Sequence, residues 1–200
     1  IGIVAGVLVL VLALDAVQRV LTPKYVSTAQ DGRLVAEYYT SAKNHDVVFV
    51  GDCEIYENIS PVTLWQEYGI SSYMRGSPQQ LIWHSYYMMK DTLRHEKPKA
   101  FVYNVYSMKY AEPQKEEYNR MALDGMEWSS VKAEAVKASM MDHESYLSYV
   151  FPLLRYHDRW SQLTAEDFKY AYQDVPQLSI NGYLMRIDVK GVSKLYGATE

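Results

Sequence analysis

Cysteine is almost absent from this chain of 200 residues, because Cys53 is the only one. A single cysteine cannot form an internal disulfide, and it gives no spacing typical of a zinc site. We expect neither a metal nor another cofactor. Cys53 is then either a packed small side chain or a functional thiol.

An excess of positive charge is also absent. The 20 Lys and Arg residues against 24 Asp and Glu residues give a net charge of −4. No basic stripe is present, which argues against nucleic acid as a partner. Charged residues at 22% and hydrophobic residues at 48% are typical of a folded chain rather than a disordered one.

The N-terminal run from Ile1 to Leu14 contains no charge, and Asp15 is the first charged residue. A helix that spans a bilayer needs about 20 apolar residues. We therefore expect residues 1–21 to be the C-terminal part of a transmembrane helix that starts before Ile1 and ends at Thr22-Pro23. The h-region of a cleaved signal peptide is an alternative. A buried core helix is disfavoured, since the run is apolar on all sides.

A strand at 47–50 and a tight turn are predicted, followed by a helix that begins at Ser60-Pro61 and ends at Gly69. The strand at 47–50 has four consecutive apolar residues, three of them β-branched, which is typical of a strand buried on both faces of a parallel sheet. Gly51 ends it, and Cys53 lies in the turn that follows. Enzymes with α/β folds place reactive groups at the carboxyl ends of such strands.

Two more strands follow at 70–74 and 100–106. Between them lie a loop, Arg75-Gly76-Ser77-Pro78, and a helix at 79–95. This alternation predicts a parallel sheet with right-handed crossovers.

The segment Gly51-Asp52-Cys53-Glu54 resembles the first sequence block of the SGNH/GDSL hydrolase superfamily, Gly-Asp-Ser-x, with cysteine in place of the nucleophilic serine. Within the superfamily the segment is most similar to the DltD-like branch, because Glu54 follows Cys53 and the block lies soon after an apolar run. Members of this branch are membrane-anchored and act on envelope polymers. The resemblance covers residues 46–107. It implies a flavodoxin-like, three-layer α/β sandwich with a parallel sheet, truncated here, preceded by a transmembrane helix and carrying a helical insertion.

The resemblance also implies roles for three residues. Cys53 stands at the nucleophile position. Gly76 matches the second block, whose backbone N–H helps to form an oxyanion hole, although a simple turn glycine has the same sequence appearance. Asn104 lies inside the predicted third strand, whereas the third block of the family follows that strand. Asn104 is a second oxyanion donor only if the strand ends early, and otherwise a buried amide.

The Asp-x-x-His block of the family is missing from the sequence. Asp91 and His95 are four positions apart on the predicted crossover helix, and His84, His143 and His157 have no matching context. A lone histidine on a helix is more often structural or exposed than catalytic. We expect the acid and the general base to lie beyond residue 200.

The rest of the chain is predicted to be mainly helical. Helices begin at Glu112-Pro113, at Ser129 and at Thr164; Asn181-Gly182 predicts a turn, and residues 184–189 a strand. Residues 110–172 are interpreted as a helical insertion that covers the sheet and forms a lid over the cleft. The predicted division is a partial anchor at 1–21, a linker and first helix at 22–45, and an incomplete SGNH-like domain at 46–200.

The thiol of Cys53 is expected at the carboxyl end of the first strand and at the start of a helix, with Gly76 close in space. A helix N-terminus lowers the pKa of a thiol, but Asp52 and Glu54 beside it raise that pKa. We expect a poorly activated thiol.

Three functions remain open. The first is a membrane-anchored SGNH-type acyl esterase or O-acyltransferase that acts on a cell-envelope polymer, such as an acylated polysaccharide or a teichoic-acid-like polymer. The second is a non-catalytic relative that binds an envelope glycan or an assembly partner, which the loss of the serine favours. The third is a tethered interaction domain with Cys53 as packing. The resemblance implies an extracytoplasmic domain, whereas Arg19 and Lys24 after the apolar run favour the opposite side.

Overall fold

A parallel three-stranded sheet forms the centre of the computed structural model, which describes residues 2–24, 33–113 and 115–185. The strands are β1 (Val47–Gly51), β2 (Ser72–Gly76) and β3 (Ala100–Tyr103), in the order β2-β1-β3. The helices are α1 (Gly2–Leu21), α2 (Leu34–Thr40), α3 (Cys53–Asn58), α4 (Pro61–Tyr68), α5 (Ile82–His95), α6 (Glu116–Leu123), α7 (Ser130–Ser139), α8 (Tyr146–Val150), α9 (Leu153–Tyr156) and α10 (Ala165–Lys169), with 3₁₀ segments at Val105–Lys109 and His157–Gln162. The mixed α/β class and the parallel pairing predicted from the sequence are confirmed.

The limits of two strands differ from the prediction. Strand β2 starts two residues after the predicted start at 70 and includes Arg75 and Gly76, since its pairing with β1 continues to Gly51. Strand β3 ends at Tyr103 rather than at 106. The cause is local: the Asn104 side chain accepts a hydrogen bond from the Tyr106 N–H at 3.0 Å and begins the 3₁₀ segment.

Helices cover both faces of the sheet. Val48 and Val50 of β1 face a core shared with α5, α6, α7 and α8. Phe49 faces the opposite side, where α3 and Leu184 pack. This alternation follows the pleat of a strand, in which successive side chains point to opposite faces. Strand β1 is therefore enclosed between two helical layers, although Val47 and Phe49 are only partly buried.

Capping residues explain several helix limits. The predicted limits of α4 are confirmed: Ser60 Oγ accepts from the Thr63 N–H at 3.2 Å, and Gly69 ends the helix with φ 66°. Helix α5 starts at Ile82 rather than at 79, because Gln79 adopts φ 50° in the preceding turn. Helix α6 starts at Glu116 rather than at 112, because Lys115 is still extended.

The turn at Asn181-Gly182 is confirmed, with φ values of 49° and 78°. It packs against β2, since the Met74 N–H donates to the Asn181 carbonyl at 2.8 Å. Leu184 and Met185 are not in a strand, and the remainder of the strand predicted at 184–189 lies outside the described residues.

The helical segment after residue 110 divides into two parts. Helices α6 and α7 pack on the core of the sheet, and α8 adds Tyr149 to it. Helices α9 and α10 and the 3₁₀ segment between them contact α1 instead. The first part covers the sheet as expected, whereas a lid over the cleft stays a prediction.

Helix α1 extends away from the sheet. Residues 2–15 are exposed, and Leu21 is the buried residue of this helix. Its mean hydropathy of 2.1 and its 20 residues make it long and apolar enough to cross a membrane, although a signal sequence has the same properties. The expected helical N-terminal segment is thus present.

His84 joins α5 to α6 inside the core. Its Nδ1 accepts from the Leu81 N–H at 3.2 Å, so that Nε2 carries the proton and donates to Asn119 Oδ1 at 2.7 Å. Burial lowers the pKa of His84 to about 4, and the bond to Asn119 opposes this only in part. His84 is therefore a neutral structural histidine.

Acidification should destabilise the fold through His84. Its pKa is lower in the folded chain than in the unfolded chain, so its contribution is complete above pH 6.5 and is lost as the pH falls toward 4. Between pH 7 and 5 the loss should be about 2 kcal/mol of unfolding free energy. Urea unfolding at both values should show a smaller pH dependence in His84→Gln, whereas exposed His143→Gln should behave as the wild type. Identical pH dependence in all three proteins would contradict the assignment.

Candidate functional site

Three strand ends meet at the carboxyl edge of the sheet. Gly51 at the end of β1 pairs with Gly76 at the end of β2, and the Asn104 N–H donates to the Val50 carbonyl at 3.0 Å. With the order β2-β1-β3, the chain passes from β1 to β2 on one side and then crosses to β3 on the other side of β1. In open α/β sheets, ligands bind outside the carboxyl ends of the strands at such a change of direction. Cys53, Gly76 and Asn104 all lie next to this edge.

The two glycines allow α3 to pack directly on the strand ends. A Cβ on Gly51 would lie 2.6 Å from Asn104 Cβ and 2.8 Å from Ile55 Cγ1. A Cβ on Gly76 would lie 2.6 Å from Tyr56 Cδ1 and 3.0 Å from the Gly51 carbonyl oxygen.

Gly76 is not a turn glycine. It is the last residue of β2 rather than part of the following loop, and it does not have a positive φ. The expectation that placed it in the loop was wrong because the strand lies two residues further along the chain than predicted. Its missing side chain is required by close packing, and its role as an oxyanion donor stays a prediction.

Asp52 and Asn104 connect the ends of β1 and β3. Asp52 is buried and is the N-cap of α3, where its Oδ1 accepts from the Glu54 N–H at 3.2 Å. The same oxygen accepts from Asn104 Nδ2 at 2.8 Å. Sequence analysis missed this pair, whose signal is a carboxylate and an amide placed just after adjacent strands.

Asn104 lies one residue beyond β3 rather than inside it. The strand thus ends early, which is the condition under which Asn104 was expected to act as a donor. In the described part of the chain, Asp52 accepts one of the two amide hydrogens of Nδ2. Among the described residues, no hydrogen bond from the second amide hydrogen is seen, and its role as an oxyanion donor stays a prediction.

Cys53 is the first residue of α3, a short helix that the sequence analysis did not separate from α4. The thiol is partly buried beside Ile55 and Tyr56. Burial raises its pKa, and the negative charges of Asp52, Glu57 and Glu54 raise it further. The thiol is therefore protonated at neutral pH, and the expectation of a poorly activated thiol agrees with this.

All five histidines lie in the described part of the chain, and none of its hydrogen bonds joins a histidine to Cys53. His45 binds Glu96 at 3.0 Å, His84 binds Asn119, and His95 lies 3.8 Å from Asp91. Across the same residues, no group of three or more metal-ligating side chains is present.

Arg75 anchors β2 one residue before Gly76. The guanidinium is buried, contacts Asp91 Oδ2 at 3.2 Å and Thr92 Oγ1 at 2.9 Å, and lies 4.0 Å from the ring centroid of Tyr38. Removing one partner of such a buried pair is strongly destabilising. Asp91 is thus a structural partner of Arg75.

No family model, curated protein or solved structure matches this chain. The SGNH resemblance therefore depends on the sequence blocks described above.

The pKa of the Cys53 thiol should be higher in the native protein than in the unfolded chain. The pH midpoint of iodoacetamide alkylation should be higher in the native protein than in the same chain in urea, and Glu57→Gln should lower it because one negative charge is removed. The only cysteine is Cys53, so the label is unambiguous. Exposed Glu117→Gln on α6 serves as the control and should change nothing. A native midpoint below the unfolded one would refute this description.

Replacing Gly76 with alanine should displace α3. The new methyl group would overlap the Tyr56 ring and the Gly51 carbonyl, and such overpacking costs about 1–3 kcal/mol. Urea unfolding of Gly76→Ala should show this loss together with faster alkylation of Cys53 in the native state. Gly69→Ala is the control. Its new Cβ would have no atom within 4 Å, so the only strain comes from the positive φ, and the alkylation rate of Cys53 should not change. Unchanged stability and labelling in Gly76→Ala would show that the contact is not restrictive.

Proposed function

We propose that this chain is a membrane-anchored SGNH-type acyl esterase or O-acyltransferase that acts on a cell-envelope polymer. The observation that supports the proposal best is the hydrogen bond of 2.8 Å between Asp52 and Asn104. It joins the segment that resembles the first block to the residue proposed as the second oxyanion donor. The pairing of Gly51 with Gly76, the glycine proposed as the other oxyanion donor, also supports it. The strand order is also the β2-β1-β3 order of flavodoxin-like sheets.

In this proposal the Sγ of Cys53 attacks the acyl carbonyl carbon of the polymer ester. The thiol proton passes through a general base to the leaving alkoxide, the C–O bond breaks, and a thioester forms on Cys53. Water then releases the acid in an esterase, or an acceptor hydroxyl takes the acyl group in a transferase. Cys53 leaves in this second step and regains its proton.

Two donors would stabilise the oxyanion that develops on the carbonyl oxygen. The second amide hydrogen of Asn104 and the backbone N–H of Gly76 are proposed for this role, and a glycine leaves space for the acyl group. The raised pKa of Cys53 makes a base essential. Since no histidine of the described residues binds Cys53, the proposal places that base elsewhere.

Helix α1 supports the membrane part of the proposal. It is long and apolar enough to cross a membrane, and its uncharged run up to Leu14 would lie in the hydrocarbon core. A tethered domain on the extracytoplasmic side would remain close to a polysaccharide or a teichoic-acid-like polymer of the envelope.

A binding module is the second candidate. The raised pKa of Cys53, and the lack of a hydrogen bond from a described histidine to its thiol, favour a domain that binds an envelope glycan or an assembly partner without catalysis. Cys53 would then pack α3 against the sheet.

Cys53→Ser and Cys53→Ala in the full chain distinguish the two candidates. With p-nitrophenyl acetate as the acyl ester, Cys53→Ser should keep measurable hydrolysis, and Cys53→Ala should lose at least about 100-fold because no nucleophile remains. Ser130→Ala on the exposed surface of α7 is the matched control and should retain full activity. Equal rates in the serine and alanine variants, or no hydrolysis by any form, would favour the binding module.

A further inference from the structure

The segment that follows α8 is fixed to the last turns of α1. The Arg159 Nη1 donates to the Leu21 carbonyl at 2.8 Å, and the Leu153 N–H donates to Gln18 Oε1 at 3.4 Å. Arg159 also binds Asp167 at 2.7 Å, which joins α10 to the same point. We call α9, the 3₁₀ segment His157–Gln162, α10 and Tyr172 the collar.

An open apolar groove of about 350 Å³ lies between the collar and α1. Its lining includes Val17, Val20, Trp160, Leu163, Phe168 and Tyr172. The three aromatic residues are largely exposed, by 71% for Trp160, 59% for Phe168 and 67% for Tyr172. Large apolar side chains grouped in this way usually mark an interaction surface.

The groove lies at the end of the apolar run of α1. With a rise of about 1.5 Å per residue, Val17 is only about 4.5 Å along the helix axis from Leu14, the last residue of the run. A helix that places the run in the hydrocarbon core therefore places the groove at the level of the lipid headgroups. Aromatic residues are enriched at this level, where an apolar ring meets a polar boundary.

We propose that the collar lies on the membrane and inserts Trp160, Phe168 and Tyr172 into the boundary between headgroups and acyl chains. This rests on the proposed membrane-spanning role of α1 and is independent of the chemistry at Cys53. Between Phe151 and Tyr172 the chain has three basic residues, Arg155, Arg159 and Lys169, and three acidic residues, Asp158, Glu166 and Asp167. Apolar contact rather than charge therefore drives insertion, and zwitterionic lipid is sufficient.

The collar would also orient the whole domain. Because it is bonded to both Leu21 and Gln18, insertion of its aromatic face restricts rotation about α1. The carboxyl edge of the sheet would then be held at one height and direction above the bilayer.

Tryptophan fluorescence of the full chain in phosphatidylcholine vesicles tests the proposal. One variant keeps only Trp160 by combining Trp65→Phe, Trp83→Phe and Trp128→Phe. The matched control keeps only Trp65, which lies on α4 and is exposed by 61% in the protein. Trp160 should emit at a shorter wavelength than Trp65, be quenched by brominated phosphatidylcholine, and be several-fold less accessible to iodide. Trp160→Phe, with the other three tryptophans kept, should lose the component that is quenched by lipid.

Washing the vesicles with alkaline carbonate distinguishes the membrane anchor α1 from insertion of the collar. Protein that stays with the vesicles while Trp160 is as accessible to iodide as Trp65 would leave the anchor in place and overturn the collar. Shielding from iodide without quenching by brominated lipid would also overturn it, in favour of a protein partner. Release of the protein by the wash would overturn the anchor and the collar together, and would leave the proposal for Cys53 unaffected.

Discussion

The close approach of Gly51 to Gly76 is the constraint on which the rest of the site depends. These residues pair at the ends of β1 and β2, and a Cβ on Gly76 would lie 3.0 Å from the Gly51 carbonyl oxygen. Their small size lets α3 begin directly above the strands. Asp52 then reaches Asn104, and Cys53 is placed beside the carboxyl edge of the sheet.

The charges at this edge of the sheet stabilise the fold but do not activate the thiol of Cys53. Asp52 stabilises the start of α3 and holds the end of β3 through Asn104. Its negative charge also raises the pKa of Cys53, and it is the largest cause of that shift after burial. The same carboxylate that joins the ends of β1 and β3 thus helps burial to keep the nearby thiol protonated. Any acyl transfer at this position needs a group that removes the thiol proton, which makes the base the decisive component of the catalytic proposal.

The sequence predicted the parts of the structure that depend on neighbouring residues. The run at 47–50, the strand–helix alternation and the caps of α4 are local signals, and each was confirmed. The end of β3, which the Asn104 side chain sets by capping the 3₁₀ segment, was not predicted. The Asp52–Asn104 bond was not predicted either, since it depends on which strands lie side by side in the sheet. The contact of Arg159 with the end of α1 joins residues 138 positions apart, so no local pattern indicates it.

Peptide mass spectrometry can measure the rate at which p-nitrophenyl acetate acylates Cys53, in native and in urea-unfolded protein at one pH. The comparison shows whether the folded site accelerates acyl transfer to the thiol. The raised pKa alone predicts a slower native reaction, because less thiolate is present. Donors aimed at the oxyanion predict the reverse. We expect faster acylation in the native protein and loss of that advantage in Asn104→Ala. A native rate at or below the unfolded rate would contradict it.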